Sequence, residues 1–394
     1  MLGFLRKDPN DRGMISDRLR PFGTSIFSTM TRLANEHQAI NLAQGFPDFD
    51  GPREIFDFAR EAMDAGCNQY ARSMGLPDLV ESVARHFSRA YGMSYDPMTE
   101  VCVSTGATEG LAASVLGLLN PGDEVLLMEP FYDSYPALAA MAGASVKSLV
   151  LEAPDFALDL NRLEDLIGPK TRLLLLNNPH NPSGKVFSQE ELQGIAKLCI
   201  QNNVLVLSDE VYEFLTYDGV SHIPIASLPG MRERTLTVSS TGKTFSLTGW
   251  KIGWVVGPED LVKATQAAHQ FLTFAVTTPF QAAMAKAIEH FGPSYVKELR
   301  REYLARRDFL VDMLEEKGFG VSVPRGSYFV LADVSALTEK PATEFAMDLI
   351  RERQVAALPV ESFYLEGRKS EGQKLLRFAF CKRLETLQAA KERL

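Results

Sequence analysis

Lys243 sits between Gly242 and Thr244, just past an apolar run containing Leu236 and Val238, with Ser240 and Ser246 nearby and a second cation, Lys251, eight residues on. A lysine amine attacks a carbonyl only when deprotonated, and burial beside another cation lowers its pKa toward neutrality. Lys251 is such a cation, and with the hydroxyls of Ser240 and Ser246 it offers donors for a phosphate. The segment therefore reads as a covalent anchor for an aldehyde cofactor. A surface loop with two solvated lysines fits the same residues. A nucleotide P-loop does not, because Thr237 stands where that motif needs its first glycine.

Three further segments end apolar runs in polar residues. Leu173 to Leu176 read as a fully buried strand, and the Asn/Pro/Gly cluster that follows forces a turn that holds Asn181 at the strand tip. The run from Val204 to Leu207 stops at Asp209 and Glu210, and a carboxylate closing a buried strand needs a cation to pair with. The short strand Val101–Ser104 turns at Gly106 into an alanine-rich helix. The free N–H groups and dipole of that helix, at Ala107 and Thr108, make an anion site.

The elements that position these residues follow from periodicity. Between about residues 100 and 260, short apolar runs alternate with helical patterns such as Glu190–Gln201, which places Leu192, Ile195, Ala196 and Cys199 on one face. The alternation predicts an α/β fold with a mostly parallel sheet flanked by helices, its ligand at the carboxyl ends of the strands. A periodic, charged stretch from Pro293 to about Lys317 predicts a long helix leading to a smaller α+β unit. The N-terminal arm to about Ala34 has no core pattern of its own.

Composition narrows the function classes. A chain of 394 residues with 45% hydrophobic content can bury a large core and suits two domains. A net charge of −9 argues against nucleic acid or an anionic membrane surface as partner, so local cations must bind anions. The four cysteines and six histidines show neither disulfide nor metal-ligand spacing, and no metal is expected. No apolar stretch is long enough to span a membrane, and the first residues lack a secretory core, which predicts a cytoplasmic protein.

Taken together, Asn41–Asp48, Asn68–Tyr70, Gly106–Thr108, Glu129–Tyr135, Asn178–Gly184, Ser208–Tyr212, the lysine segment and Leu376–Lys382 resemble, in order and spacing, the class I aminotransferases of the fold-type-I pyridoxal-phosphate (PLP) superfamily. The wording is most similar to the kynurenine–oxoglutarate aminotransferase and cysteine-conjugate β-lyase subgroup, and bacterial methionine and N-succinyldiaminopimelate aminotransferases share much of it. The resemblance implies a large PLP-binding domain (54–298) with a seven-stranded-type sheet, a discontinuous small domain (35–53 and 299–394) and an arm (1–34) that packs on a partner. It implies a homodimer with shared active sites, in which Tyr70 reaches the partner's cofactor phosphate.

The resemblance also assigns roles. Lys243 would anchor the cofactor and then serve as general acid/base, Asp209 would pair with the pyridine nitrogen, and Asn181 and Tyr212 would bond the ring's phenolate oxygen. The phosphate would fall to Gly106, Ala107, Thr108, Ser240 and Lys251. Tyr132, or else the adjacent Phe131, would stack on the ring. Arg377 would hold the substrate carboxylate, helped by Gly45, with Phe27 and Phe274 as apolar wall. On the residues alone, Arg377 also reads as a polar residue on the open face of a strand, and Tyr132 and Tyr70 as ordinary core or half-buried aromatics.

The expected reaction is ping-pong transfer of the amino group of an apolar, aromatic or sulfur-containing L-amino acid to a 2-oxo acid, chiefly 2-oxoglutarate. Alternatives are an N-succinyldiaminopimelate or aspartate-type aminotransferase and a cysteine-conjugate β-lyase. No second arginine for a distal carboxylate is evident between Gln266 and Thr278, and Ala275 stands where the kynurenine-type subgroup tends to carry a histidine. The first is the arginine that relatives preferring dicarboxylates use, while the second, with Ala107 and Thr108 where the subgroup has a pocket tyrosine, weighs against kynurenine itself. A regulator built on the same fold needs an added DNA-binding domain, for which a match beginning near Leu19 leaves no room.

Overall fold

The computed structural model describes residues 14–23 and 25–394; of the N-terminal arm, 1–13 and Thr24 lie outside the described residues. In chain order the strands are β1 (Ile40–Asn41), β2 (Val101–Thr105), β3 (Glu124–Glu129), β4 (Ser145–Val150), β5 (Thr171–Asn177), β6 (Leu205–Asp209), β7 (Thr235–Ser240), β8 (Ile252–Val256), β9 (Gly320–Ser322), β10 (Phe329–Asp333), β11 (Val355–Ala356), β12 (Leu358–Pro359) and β13 (Leu375–Ala379). β2 to β8 form one seven-stranded sheet in the order β2-β8-β7-β6-β5-β3-β4. β8 is antiparallel to both neighbours and every other pairing is parallel. Six strands therefore end at one edge of the sheet, and β8 begins there.

The leucine run of β5 shows why the sheet is covered on both faces. Leu174 and Leu176 pack with Leu192 and Ile195, while Leu173 and Leu175 join the opposite cluster with Leu111 and Val115. Successive side chains point to opposite faces, so a strand with no polar alternation needs a helix layer on each side. One layer includes the expected helix Gln189–Gln201, which starts at a capping box formed by Ser188 and Glu191. The other includes Gly106–Leu118, which packs against Glu259–Leu272. A buried leucine contributes roughly 2 kcal/mol by area, so the run strongly anchors the polar residues at its end.

Pro293–Glu316 is the long helix expected from the charged, periodic stretch, with Pro293 at its first position. It leads to a second, antiparallel sheet, β12-β13-β10-β9, while β1 pairs with β11. The arm departs from expectation at its end. Ile26–Glu36 is a helix capped by the Ser25 hydroxyl, and it buries Met30 and Ala34. The apolar spacing Ile26, Met30, Leu33 gives one helical face, and that face finds its partners in the small sheet's neighbourhood, beside β11 and β12.

Candidate active site

The strand ends converge on a cavity of about 440 Å³. β2 delivers Gly106, β5 delivers Asn177 and Asn181, β6 delivers Asp209, and β7 delivers Ser240 and the short helix Thr241–Thr244 that carries Lys243. Because β8 runs the opposite way, Lys251, the residue before it, reaches the same edge. Antiparallel β8 is thus the reason that two lysines eight residues apart line one cavity.

One end of the cavity is built for an anion. Gly106 opens its helix with φ +68°, a conformation that favours glycine, and Lys251 Nζ lies 3.2 Å from where a Cβ at Gly106 would stand. Gly253 has no room for a Cβ either, since one would sit 2.7 Å from the Gly106 carbonyl carbon. Among the described residues Lys251 makes no ion pair, and with the free N–H groups of Ala107 and Thr108 and the Ser240 hydroxyl it forms a cationic cradle. A brace below sets the cradle's angle. Glu109 accepts from Thr105 N–H at 3.0 Å and lies 2.9 Å from His269 Nδ1, whose Nε2 is 3.0 Å from the Ser73 carbonyl.

The other end is anionic. Asp209, buried at the tip of β6, accepts from the Tyr135 hydroxyl at 2.8 Å and from Val211 N–H at 3.3 Å. Burial pushes its carboxyl up to about 6, against the pull of those two bonds. No lysine, arginine or histidine of the described residues pairs with it, so the cation that a buried carboxylate calls for must come from a ligand. An elongated molecule with a phosphate at one end and a protonatable nitrogen at the other fits between cradle and carboxylate, and PLP is such a molecule. Lys251, Ser240, Ala107 and Thr108 would hold its phosphate and Asp209 its ring nitrogen.

Arg377 is the surprise of the small sheet. It lies on β13 opposite Leu331 and Leu358 and is 1% exposed, so the open-face alternative does not hold. Its Nη1 donates to Asn181 Oδ1 at 2.8 Å and its Nη2 to the Ala43 carbonyl at 3.0 Å. The guanidinium rests 3.8 Å from the Phe329 ring centroid, with Phe363 and Phe27 at 5.1 and 5.2 Å. Burial brings it down to about 10, still charged at neutral pH. Among the described residues its Nε has no partner, and neither Asp133 nor Asp209 on the pocket wall makes an ion pair with it. Because Asn181 Oδ1 is taken by Arg377, the amide's NH2 is left to donate into the cavity.

Lys243 projects between these ends. Burial lowers its pKa to about 8, with Arg377 and Lys251 pushing the same way and Asp209 opposing. Its Nζ donates to the Tyr328 hydroxyl at 2.6 Å and approaches the Gly45 carbonyl at 3.4 Å. Tyr212 is buried beside it, its ring centroid 5.8 Å from Nζ.

Most of the residues expected from sequence thus share one cavity: Lys243, Asp209, Asn181, Tyr212, Ser240, Lys251, Gly106, Ala107, Thr108, Gly45, Phe27, Tyr132 and Arg377 all line it. Tyr132 lines it, while Phe131 is buried in the sheet's core. Tyr70 and Phe274 are not brought in. They pack edge to face, 5.3 Å apart, on the surface outside their own chain's cavity. His180 is a buried neutral residue bonded to Ser183, its pKa lowered by burial to about 3. Residues missed from sequence are Tyr135, Asn177, whose side chain accepts from Asn181 N–H at 2.6 Å, and Tyr328. The spacing of Tyr132 and Tyr135, one helical turn apart, was a usable signal for the first.

A mostly parallel α/β sheet whose strand tips join a lysine, a buried aspartate and an anion cradle defines a cofactor-dependent enzyme of carbonyl and amine chemistry. Residues 37–394 match the model of the family described as aminotransferase class I and II, and the chain belongs to that family of PLP-dependent aminotransferases. The chain is similar to the solved N-succinyldiaminopimelate aminotransferase of Mycobacterium tuberculosis, at 45% identity over 97% of this chain and 99% of that one, with a TM-score of 0.93. It is 39% identical to methionine aminotransferase of Escherichia coli K12, covering 96% of this chain and 97% of the relative. It is also 39% identical to mouse kynurenine–oxoglutarate transaminase 1, covering 96% of each. Among the described residues no helix is long and apolar enough to cross a membrane.

Proposed function

We propose that the enzyme moves the amino group of an apolar, aromatic or sulfur-containing L-amino acid to a 2-oxo acid, with 2-oxoglutarate as the chief acceptor. The observation that carries this reading is Arg377, a buried guanidinium with no carboxylate partner among the described residues, facing the same cavity as Lys243. Its planar fork suits the α-carboxylate common to amino and 2-oxo acids. The Phe27 and Tyr132 rings, 6.4 Å apart, offer an apolar wall for the side chain. When bound, PLP supplies the electron sink that acidifies the amino acid's Cα–H. Lys243 Nζ, uncharged in a good fraction of molecules near pH 8, takes up and returns the Cα proton. Asp209 would hold the ring nitrogen, Tyr212 and the Asn181 amide would hold the ring's oxygen, and Arg377 and Gly45 would hold the substrate carboxylate with Cα–H toward Lys243.

The test is a screen of common amino acids against 2-oxoglutarate, pyruvate and other oxo acids, run beside Arg377→Ala. The variant is expected to lose on the order of a thousandfold in kcat/KM, about 4 kcal/mol, for every amino acid that the enzyme uses. Arg377→Lys restores little of it, because a point charge lacks the fork. Unchanged kcat/KM in Arg377→Ala would remove the assignment. A second reading, use of N-succinyldiaminopimelate, draws on the Mycobacterium tuberculosis relative, and the same screen separates the two. Pyruvate release from a cysteine thioether reveals β-lyase chemistry.

In this reading two chains share each site, and each chain keeps the large domain (54–298) and discontinuous small domain (35–53 and 299–394) expected from sequence. Tyr70 is 82% exposed and its ring packs on that of Phe274, while nearby in sequence Phe271 is 86% exposed; a second copy would cover these apolar side chains. Covering them brings Tyr70 to the partner's cradle and Phe274 to the rim of the partner's substrate pocket. Mixing Lys243→Ala protein with a Tyr70→Phe variant impaired in cofactor binding should give hybrid dimers with one intact site, and activity above both parents on subunit exchange. Demonstrated hybrids without rescue would place Tyr70 outside any shared site.

A further inference from the structure

We propose that Tyr328 is a further positioning residue for the reaction: its hydroxyl is the fixed station that receives the Lys243 amine whenever that amine is not bonded to the cofactor. This rests on the reading of Lys243 as the cofactor's anchor, and the test below separates the two.

The direction of the hydrogen bonds carries the argument. Tyr328 is fully buried, and its hydroxyl is in contact with both the Gly45 carbonyl and Lys243 Nζ. A carbonyl oxygen only accepts, so the Tyr328 proton goes to Gly45. The hydroxyl oxygen is then left to accept from Lys243, at 2.6 Å. A lysine side chain loses on the order of 2 kcal/mol of rotamer freedom when held still, and a donor–acceptor chain that engages one of its N–H bonds holds it in place before reaction. A second, longer approach to the Gly45 carbonyl at 3.4 Å steadies the amine further, and Lys243 lines the cavity.

The station itself cannot wander. The tyrosine ring lies edge-on to Tyr212 at 5.1 Å and parallel to Tyr303 at 6.2 Å, and the backbone carbonyl of Tyr328 accepts from Phe380 N–H at 3.0 Å. Burial and the neighbouring tyrosines raise the phenol well above its ordinary value, so it stays protonated and takes no proton from the lysine. Gly45 completes the arrangement from the other side. Its loop is tied down by Lys382, which donates to the Phe46 carbonyl at 2.7 Å, and by Asp48, which accepts from Arg383 N–H at 2.7 Å. One hydroxyl therefore connects Lys243 to the Gly45 loop on the cavity wall.

The experiment compares wild type with Tyr328→Phe. In cofactor-free protein, competitive acetylation of Lys243 is followed by mass spectrometry as a function of pH. A hydroxyl that accepts from nitrogen favours the ammonium over the amine, so its loss is expected to move the labelling midpoint of Lys243 to lower pH and to raise labelling at pH 7 several-fold. In the loaded enzyme, the rate of the amino-acid half-reaction is expected to fall roughly ten- to a hundredfold, with cofactor content unchanged and little effect on KM. An unmoved labelling midpoint with wild-type turnover overturns the proposal. A fall in turnover without a moved midpoint overturns it too, because a structural prop for the Gly45 loop predicts that result. Should the variant fail to fold, a crystal structure of the cofactor-free wild type decides: Lys243 Nζ within hydrogen-bond reach of Tyr328 supports the station, and Lys243 turned away from it ends the idea. Failure of the underlying reading looks different, since wild-type Lys243 would then never carry the cofactor after reduction.

Discussion

Lys243→Ala protein is expected to fold, bind PLP loosely through the cradle and turn over at least ~10⁴-fold more slowly than the parent, a loss of about 5.5 kcal/mol of transition-state stabilisation. The size of the effect follows from the absence of a substitute. Among the other titratable groups on the cavity wall, Arg377 stays charged near neutral pH, Tyr132 and Tyr212 are held above their ordinary value by burial, Asp209 accepts from the Tyr135 hydroxyl, and Lys251 lies at the opposite end beside Gly106. None of these is a second amine that could replace Lys243 near pH 7. The covalent readout is independent of turnover. Borohydride treatment of the loaded parent should bleach its absorption at the border of the visible and near-UV and fix the cofactor to Lys243. The variant should show no such adduct. The pH dependence has a definite sign: with the amine's pKa lowered to about 8, capture of PLP by cofactor-free protein should quicken as pH rises through 8 and level off well below pH 10. A reduced adduct on a different lysine sinks the assignment.

The residues most legible in the sequence were those that end buried strands. Leu173–Leu176 and Val204–Leu207 have no polar alternation, so they had to be covered strands, and the first polar residues after them, Asn177–Asn181 and Asp209, had to lie at one edge. The glycine at 106 marked the turn into the phosphate helix in the same way. Arg377 is a different case. Its local pattern, one arginine among apolar residues on a short strand, fits an exposed strand face equally well. Its burial is decided by Phe27, Phe329 and Phe363, which come from three distant segments and which no local period reveals. Tyr328 was invisible for the same reason: Gly326-Ser-Tyr-Phe329 carries no periodic signal, and its contact to Lys243 spans 85 positions. The arm helix Ile26–Glu36 was missed because a single short face of Ile26, Met30 and Leu33 falls short of a core pattern until the partner face is in place.

Asp209→Ala is expected to slow the amino-acid half-reaction on the order of a thousandfold, ~4 kcal/mol, while leaving the cradle able to hold phosphate. A buried carboxylate that makes no ion pair among the described residues is suited to stabilise positive charge on the ligand, and without it a neutral pyridine ring would withdraw electrons poorly. Asp209→Asn is the sharper variant, because an amide keeps the shape and can still accept from the Tyr135 hydroxyl, now 2.8 Å from Oδ2. If charge is what matters, Asn should be about as slow as Ala, and if packing matters, Asn should recover. The parent's own pH dependence gives a third comparison. In cofactor-free protein burial lifts the Asp209 carboxyl from an ordinary 3.8 to about 6, and a bound cation draws it back down. PLP affinity should therefore be flat above pH 6 on account of this group and weaken by up to about tenfold per unit as pH falls below it. In Asp209→Asn that acid limb should vanish. Near-normal turnover in Asp209→Asn, or an acid limb that survives the substitution, would assign the ring nitrogen's partner elsewhere.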